Sequence, residues 1–214
     1  EWPVPHEQVT FYLHADGSLN QDAPAGEGGS RSYKYDPRNP APTLGGHHDW
    51  VHASGPFDQR PLRDRDDVLY FVTQPLTEPF ALTGKVRMQL FFSSDARDTA
   101  FIVKLVDIYP DGYEFIVRES AGMGRYHSGY DTPSPLEEGD VYELDLDLWS
   151  TAIVFNKGHR IGLIVTSSSK TSYQVHPNRY KSVVNYADSP VARNTIHCSA
   201  EYGTRLMLPK VPVP

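Results

Sequence analysis

The strongest constraint on the fold is the strict alternation of apolar and polar residues in several segments of the chain. The clearest example is "DVYELDLDLW", in which every second residue is apolar and the residues between are acidic. The apolar positions of this segment are Tyr142, Leu144, Leu146 and Leu148. A period of two is typical of a β-strand with one face buried and the other in water. The segment therefore predicts a strand at the surface of a β-sheet.

Three further segments predict strands that bury at least one face. "GKVRMQLFFSS" and "HRIGLIVTSS" each place apolar residues at alternate positions. These positions are Val86, Met88, Leu90 and Phe92 in the first segment and Ile161, Leu163 and Val165 in the second. "TAFIVKLVDIYPDGYEFIVRES" predicts a hairpin around the turn at 109–112, since Pro and Gly favour such a turn. Both faces of 101–106 are largely apolar, so we expect this strand to be central.

The pattern as a whole predicts an all-β fold of two antiparallel sheets. We expect about nine or ten short strands, with turn signals every 8–12 residues and no amphipathic helix, as in a sandwich or jelly roll. We treat residues 1–214 as a single domain. Residues 1–66 form early strands and a proline-rich strap, for which Tyr33, Tyr35 and Leu44 offer anchors, and residues 67–214 form the jelly-roll core.

Charge and composition exclude several classes of partner. The formal net charge is −7 and no run of five basic residues occurs, which disfavours a nucleic-acid partner. No apolar run approaches the ~18 residues of a membrane span. Cys198 is the single cysteine, so neither an intrachain disulfide nor a cysteine-based zinc site can form. The chain starts at Glu1 without a signal pattern, and we expect it to be part of a longer protein, cytoplasmic or exported.

Three serines after the strand at 160–166 raise the question of a catalytic nucleophile. A hydrolase serine usually lies in a G-x-S-x-G turn, and this sequence has none. We therefore interpret Ser167, Ser168 and Ser169 as the frayed end of a buried strand, and His159 as a histidine at a strand start. We predict no catalytic residue in this chain and no cofactor.

The segment "GGHHDWVH" is the weak candidate for a metal site. Imidazole and carboxylate groups are suitable zinc ligands. The candidate ligands are His47, His48, Asp49 and His52. The H-E-x-x-H motif is absent and the surrounding loop is rich in glycine and proline, so a polar loop without metal is the favoured interpretation. Trp50 is expected to anchor this loop to a surface.

Specific strings carry a resemblance to a known family. They include "EWPVPHEQVTFYLHADGSLN", "GPFDQRPLRDRDDVLYFVTQPL", "LVDIYPDGYEFIVRES", "RYHSG" and "YELDLDLWSTAIVFNKGHRIGLIVTSSS", in this order along nearly the whole chain. The chain resembles the C-terminal non-catalytic domain of the X-prolyl dipeptidyl-peptidase family, which includes cocaine-esterase-like hydrolases and α-amino acid ester hydrolases. The resemblance implies a galactose-binding-like jelly roll that follows an α/β-hydrolase domain. That domain supplies the Ser-Asp-His triad, and no catalytic residue of the family maps onto this chain.

The same resemblance predicts an inter-domain surface. Where relatives have a segment resembling "NFPRFDRNLNTG", this chain has "KTSYQVHPNRYKSV". The residues that we expect at the docking surface are Trp50, Phe57, Asp58, Gln59, Tyr173, Asn178 and Tyr180. We expect an accessory domain of a serine peptidase or esterase that packs on the catalytic domain and shapes its active-site entrance. The alternatives are a carbohydrate-binding module and a self-associating structural domain.

Overall fold

The computed structural model describes residues 4–46, 54–181 and 186–213. These residues form eleven β-strands and three 3₁₀ turns. The strands are β1 (Glu7–Leu13), β2 (Leu19–Asn20), β3 (Ser30–Tyr35), β4 (Leu69–Val72), β5 (Phe80–Ser94), β6 (Ala100–Ile108), β7 (Glu114–Met123), β8 (Tyr142–Phe155), β9 (Arg160–Thr166), β10 (Ala192–His197) and β11 (Arg205–Val211). The 3₁₀ turns span Arg60–Leu62, Gly124–Tyr126 and Tyr186–Asp188. No helix in the described ranges is long and apolar enough to cross a membrane.

The strands form two antiparallel sheets. In the larger sheet the order is β2-β1-β11-β5-β10-β3, and β8 pairs with β5. β8 pairs with nearly the whole length of β5. The opposite edge of β5 is shared by two strands, since β11 pairs with residues 81–89 and β10 with residues 92–94. The smaller sheet has the order β4-β9-β6-β7. The prediction of an all-β fold with two antiparallel sheets is confirmed.

The main core lies between the two sheets and is built from the predicted alternating residues. The inward residues of β5 (Val86, Met88, Leu90, Phe92), β8 (Leu144, Leu146, Leu148) and β9 (Ile161, Leu163, Val165) are all buried in this cluster. The solvent face of β8 carries the acids, as predicted. Burial of each large apolar side chain contributes about 1.5–3 kcal/mol relative to exposure, so this alternation fixes the strand register.

The hairpin β6–β7 is also confirmed, and β6 is central as expected. It pairs with β9 on one side and β7 on the other, and all nine of its residues are buried. Its outward residues Val106 and Ile108 pack in a second cluster with Ala41 and Leu62. Residues 41–44 therefore lie across the outer face of the smaller sheet, where Pro42 pairs with Lys170 and the amide of Thr43 donates to the carbonyl oxygen of Lys170.

The three serines after β9 are not frayed, and that expectation was wrong. Ser167, Ser168 and Ser169 are 1%, 3% and 1% exposed. The Oγ of Ser167 lies 2.8 Å from the hydroxyl of Tyr33 and accepts from Nδ2 of Asn194, while Ser168 Oγ accepts from the amide of Ala41. The hydroxyl groups of Ser167 and Ser168 thus form hydrogen bonds with residues that are distant in sequence. The serines at the end of β9, in the smaller sheet, thereby connect it with the larger sheet and with the strap.

Candidate docking groove

A groove runs over the open half of the smaller sheet's outer face. The antiparallel register of β6 and β7 pairs Ala100 with Met123 and Ile102 with Ala121. Since residues 41–44 pack against the other half of this face, these apolar residues are left as the floor of a depression with a volume of about 420 Å³. We refer to this depression as the groove.

The two walls of the groove come from irregular segments. One wall is the 3₁₀ turn after β7 and the loop that follows, where the rings of Tyr126 and Tyr130 lie 5.1 Å apart. Tyr130 is 77% exposed, an unusual state for a tyrosine outside an interface. The other wall is formed by residues of the segment 173–181. The lining residues are Ala100, Ile102, Ala121, Gly122, Met123, Arg125, Tyr126, Tyr130, Tyr173, Gln174, Val175, His176, Pro177, Arg179 and Lys181.

The carboxylate of Asp98 connects the two walls beneath the groove. It is fully buried and accepts hydrogen bonds from the amides of Thr99 and Arg125, from the guanidinium of Arg125, and from Nε2 of His176 at 3.1 Å. The Nδ1 of His176 accepts from the amide of Asn178 at 3.1 Å, so the ring is held from both nitrogens. A buried carboxylate with several donors is a stable anchor, and it fixes the wall before any partner binds.

Asn178 supports the same wall from inside the domain. Its backbone φ of 54° lies in the left-handed region, which Asn tolerates better than most residues. Its Nδ2 donates to the carbonyl oxygens of Tyr35 and Pro190, and its Oδ1 accepts from the hydroxyl of Thr99. Asn178 is 2% exposed, so it positions the segment rather than presenting a surface.

A buried ion pair lies beside the floor, next to the strap. Lys104 and Glu119 are opposite each other in the register and form this pair. The hydroxyl of Ser169 lies within reach of both, donating to Glu119 Oε2 at 3.0 Å, and also contacts Thr43 of the strap. The amide of Tyr173 donates to the carbonyl oxygen of Ser169. Burial raises the pKa of the Tyr173 hydroxyl, which therefore stays protonated.

The predicted docking residues fall at two separate places. Tyr173 lines the groove, and Tyr180 lies behind it, with its hydroxyl donating to the carbonyl oxygen of Pro133 and its ring under the guanidinium of Arg125. Tyr126 and Tyr130 of the opposite wall were not predicted from the sequence. Two aromatic residues in the turn-rich segment "RYHSGY" were the signal that could have identified them.

Phe57, Asp58 and Gln59 lie at the other end of the β6–β7 hairpin. Phe57 is 45% exposed, Asp58 pairs with Phe115, and the buried Gln59 donates from Nε2 to the carbonyl oxygens of Leu44 and Phe57. Phe115 lies opposite Asp107, seven residues along β6 from Ala100 of the groove floor, and a strand rises about 3.3 Å per residue, so roughly 23 Å separate this site from that end of the groove. The structure therefore does not bring the two sets of residues into one site.

The candidate metal ligands lie outside the described residues. His47, His48, Asp49 and His52 belong to the segment 47–53, which also contains Trp50. Within the described ranges, no group of three or more His, Cys, Asp or Glu side chains could hold a metal ion.

The described histidines do not combine a serine and a carboxylate at one ring. His159 lies 2.9 Å from Asp107 and His176 contacts Asp98, but neither ring bonds to a serine hydroxyl. His197 meets Ser93, without a carboxylate on its ring. A Ser–His–acid triad needs both partners on one imidazole, and the described part of the chain has no such arrangement.

The fold and the groove together define an all-β domain of two antiparallel sheets with an ordered groove on the smaller sheet. The chain belongs to the family of X-Pro dipeptidyl-peptidase C-terminal non-catalytic domains, which it matches over residues 1–207. The resemblance inferred from the sequence strings is thereby confirmed.

Individual relatives support this assignment. The chain is 37% identical to a cocaine esterase from Rhodococcus sp. (strain MB1 Bresler), over 98% of this chain and 38% of the esterase. Among solved structures, an α-amino acid ester hydrolase superposes with a TM-score of 0.83 at 31% identity, covering 95% of this chain and 36% of the hydrolase. An aminopeptidase from a marine sediment Thaumarchaeota archaeon gives a TM-score of 0.90 at 27% identity, covering 99% of this chain and 38% of that one. The chain thus spans little more than a third of these relatives.

Proposed function

We propose that this chain is the accessory domain of a serine peptidase or esterase with an α/β-hydrolase catalytic domain, and that it docks on that domain through the groove. The observation that carries the proposal is the groove at one end of the β6–β7 face, edged by the exposed Tyr130 and Met123 and walled by the segment 173–181. Membership in a family of non-catalytic C-terminal domains supports it. The docked domain shapes the entrance of the active site.

The proposed architecture is a galactose-binding-like jelly roll. The support for it is the pairing of distant parts of the chain, such as β1 with β11 and β3 with β10, which brings sequence-remote strands side by side. Such connections are typical of Greek-key sandwiches. This arrangement places both groove walls on loops of a rigid scaffold, which is the usual position of a functional surface.

The groove is suited to a protein partner because it offers apolar area at little entropic cost. The exposed Tyr130 and Met123 stand at its edge, and tyrosine buries a large area with few rotatable bonds. The wall at 173–181 is held by Asp98 and Asn178 from below. A partner therefore meets a surface that is already ordered, which improves affinity.

Hydroxyl-radical footprinting tests the docking surface. We expect Tyr130 and Met123 to react in the isolated chain and to be protected in the full-length protein. Met207, on β11, is the internal control and should react equally in both. Equal labelling of Tyr130 and Met123 in the two proteins would exclude the groove as the docking surface. Protection of Phe57 alone would instead assign docking to the strap end of the hairpin.

An activity assay tests the accessory role. We expect the isolated chain to show no hydrolysis of esters or X-Pro anilides. Turnover that a serine-directed inhibitor abolishes would overturn the proposal.

A second candidate function is sugar binding by a jelly-roll module. The three tyrosines of the groove, Tyr126, Tyr130 and Tyr173, favour it, since sugar rings pack on aromatic faces. Titration of the isolated chain with a set of sugars distinguishes the two functions. Saturable binding at millimolar or lower concentration, lost in Tyr130→Ala, would favour the module.

A further inference from the structure

The groove has a charge opposite to that of the chain as a whole. The chain carries 27 acidic and 20 basic residues, yet the groove lining contains Arg125, Arg179 and Lys181 and no Asp or Glu. Such a local excess of one sign selects partners by their charge as well as by their shape.

Two of these three cations have no counter-ion in the described residues. Arg125 is neutralised by Asp98, and the nearby Lys104 by Glu119. Arg179 donates instead to a backbone carbonyl oxygen, that of Asp188, and no carboxylate of the described ranges pairs with Arg179 or Lys181. Both side chains are exposed to water in the isolated chain, where hydration stabilises them.

Docking would remove this hydration. Partial removal of water from a charge at the edge of an interface is unfavourable, unless the partner supplies an opposite charge with good hydrogen-bond geometry. A guanidinium presents five donors and binds a carboxylate through two of them at once. Arg179 uses one such group on Asp188, so donors remain for a partner.

We infer that the segment of the catalytic domain that enters the groove carries a carboxylate side chain, which pairs with Arg179 and Lys181. An apolar or aromatic side chain next to it packs on the exposed Met123 and Tyr130, between the walls. This inference rests on the proposed function, because it names the chemistry of the partner surface at the same groove. It also explains why a chain with a net charge of −7 keeps the lining of the groove free of carboxylates.

The test is charge reversal at the groove edge in the full-length protein. Lys181→Glu should increase the radical labelling of Tyr130 and Met123 by about twofold to fivefold. A surface ion pair contributes up to about 1 kcal/mol, which changes the docking equilibrium by up to about fivefold. The increase should shrink as the salt concentration rises, because salt screens exposed charges. Lys181→Met, which keeps the aliphatic stem, should give a smaller increase.

Matched variants separate this effect from unfolding. Lys157→Glu, at an exposed lysine in the turn between β8 and β9, makes the same charge change and should leave the labelling unchanged. Urea unfolding of the isolated Lys181→Glu chain should give the wild-type midpoint. Arg179→Gln provides a second, independent variant at the groove and should act in the same direction as Lys181→Glu.

The outcomes distinguish the inference from the proposed function. If the wild-type groove is protected but Lys181→Glu and Arg179→Gln behave like Lys157→Glu, the carboxylate inference is wrong and docking at the groove stands. If the wild-type groove is not protected in the full-length protein, both the docking surface and the inference fail.

Discussion

Lys104 and Glu119 face each other across β6 and β7 as an ion pair in which the side chains are 1% and 2% exposed. The hydroxyl group of Ser169 bonds to Glu119, and through Thr43 it connects the pair to the strap. The pair thus lies where the covered half of the sheet face meets the groove. It compensates two charges that would otherwise be very costly at this depth.

Breaking this pair should be far more costly than replacing it. Lys104→Met leaves Glu119 buried without its counter-ion, so we expect a loss of about 3–5 kcal/mol in the free energy of unfolding. The double variant Lys104→Met/Glu119→Leu removes both charges and should recover much of that loss. Urea unfolding of the isolated chain measures both. Equal losses in the single and double variants would show that the charge is not the cause.

Ser167 should contribute to stability and not to catalysis. Ser167→Ala removes a partner from the buried Tyr33 and Asn194, which should cost about 1–3 kcal/mol. Ser32→Ala, which removes an exposed hydroxyl bonded to Thr195, is the control and should stay within about 0.5 kcal/mol of the wild type. The kcat of the proposed full-length hydrolase should be unaffected by Ser167→Ala at temperatures where the variant is folded. A loss of stability no larger than that of Ser32→Ala would contradict this role.

The bulge in β8 should be strained. Trp149 has a φ of 66° and is 64% exposed, while the partner register shifts between Lys85 and Arg87. A left-handed conformation costs about 1–3 kcal/mol for such a residue, and Asn tolerates it better. Trp149→Asn should therefore raise the free energy of unfolding by about 0.5–1 kcal/mol, and the β-branched Trp149→Val should lower it by about 1 kcal/mol. A reversed order of the two variants in urea unfolding would refute the strain.

The stability of the chain should depend on the ionisation of Glu114. Burial raises the pKa of this carboxyl above the ordinary value for a glutamate, although the hydrogen bond from Arg63 opposes the shift. The folded state then binds more protons than the unfolded state between the two pKa values, so this group's contribution falls as the pH rises through that window. Glu114→Gln should flatten the decline of the free energy of unfolding from pH 4.5 upward, relative to the wild type. The same pH series on Glu201→Gln, at an exposed residue, should follow the wild-type curve.

Asp98 should control the order of the groove wall. Asp98→Asn weakens its contacts with Arg125 and His176, and hydrogen bonds to a charged group contribute about 1.5–3 kcal/mol each. Trypsin cleaves after Arg179 only when the groove wall opens locally, and a loss of about 1.4 kcal/mol makes the open form tenfold more populated. We therefore expect cleavage of the isolated chain after Arg179 to be at least about tenfold faster. Asp95→Asn, at an exposed carboxylate bonded to the amide of Arg193, is the matched control. Unchanged cleavage in Asp98→Asn would show that other contacts hold the wall.

Local patterns in the sequence were sufficient for the strands and much of the core. The alternation in β5, β8 and β9 identified the inward residues. Successive side chains of a strand point to opposite faces, so a strand with one buried face shows an apolar residue at every second position of its own sequence. The hairpin of β6 and β7 was equally visible from its turn and its apolar faces. The two-residue β2 was missed, since a strand that short has no period to detect.

The groove could be predicted only in part. The segment 173–180 was predicted through a family resemblance, but the opposite wall at Tyr126 and Tyr130 was not, because the two walls lie about fifty residues apart in the chain. Asp98, which fixes both walls, lies in the short polar segment 95–99 between β5 and β6, where no local pattern marks it as buried. Its burial depends on long-range packing.

The sequence by itself determined the all-β fold class, the inward-facing residues of β5, β8 and β9, and the family, because each is encoded in local periodicity or in contiguous strings. Only the tertiary structure decided the state of the serines at 167–169. A hydroxyl at a strand end is exposed or buried according to the chain segments that cross it, and here Tyr33, Ala41 and Thr43 arrive from more than a hundred residues away. The groove arises for the same reason: the strap covers one half of a sheet face and leaves the other half open.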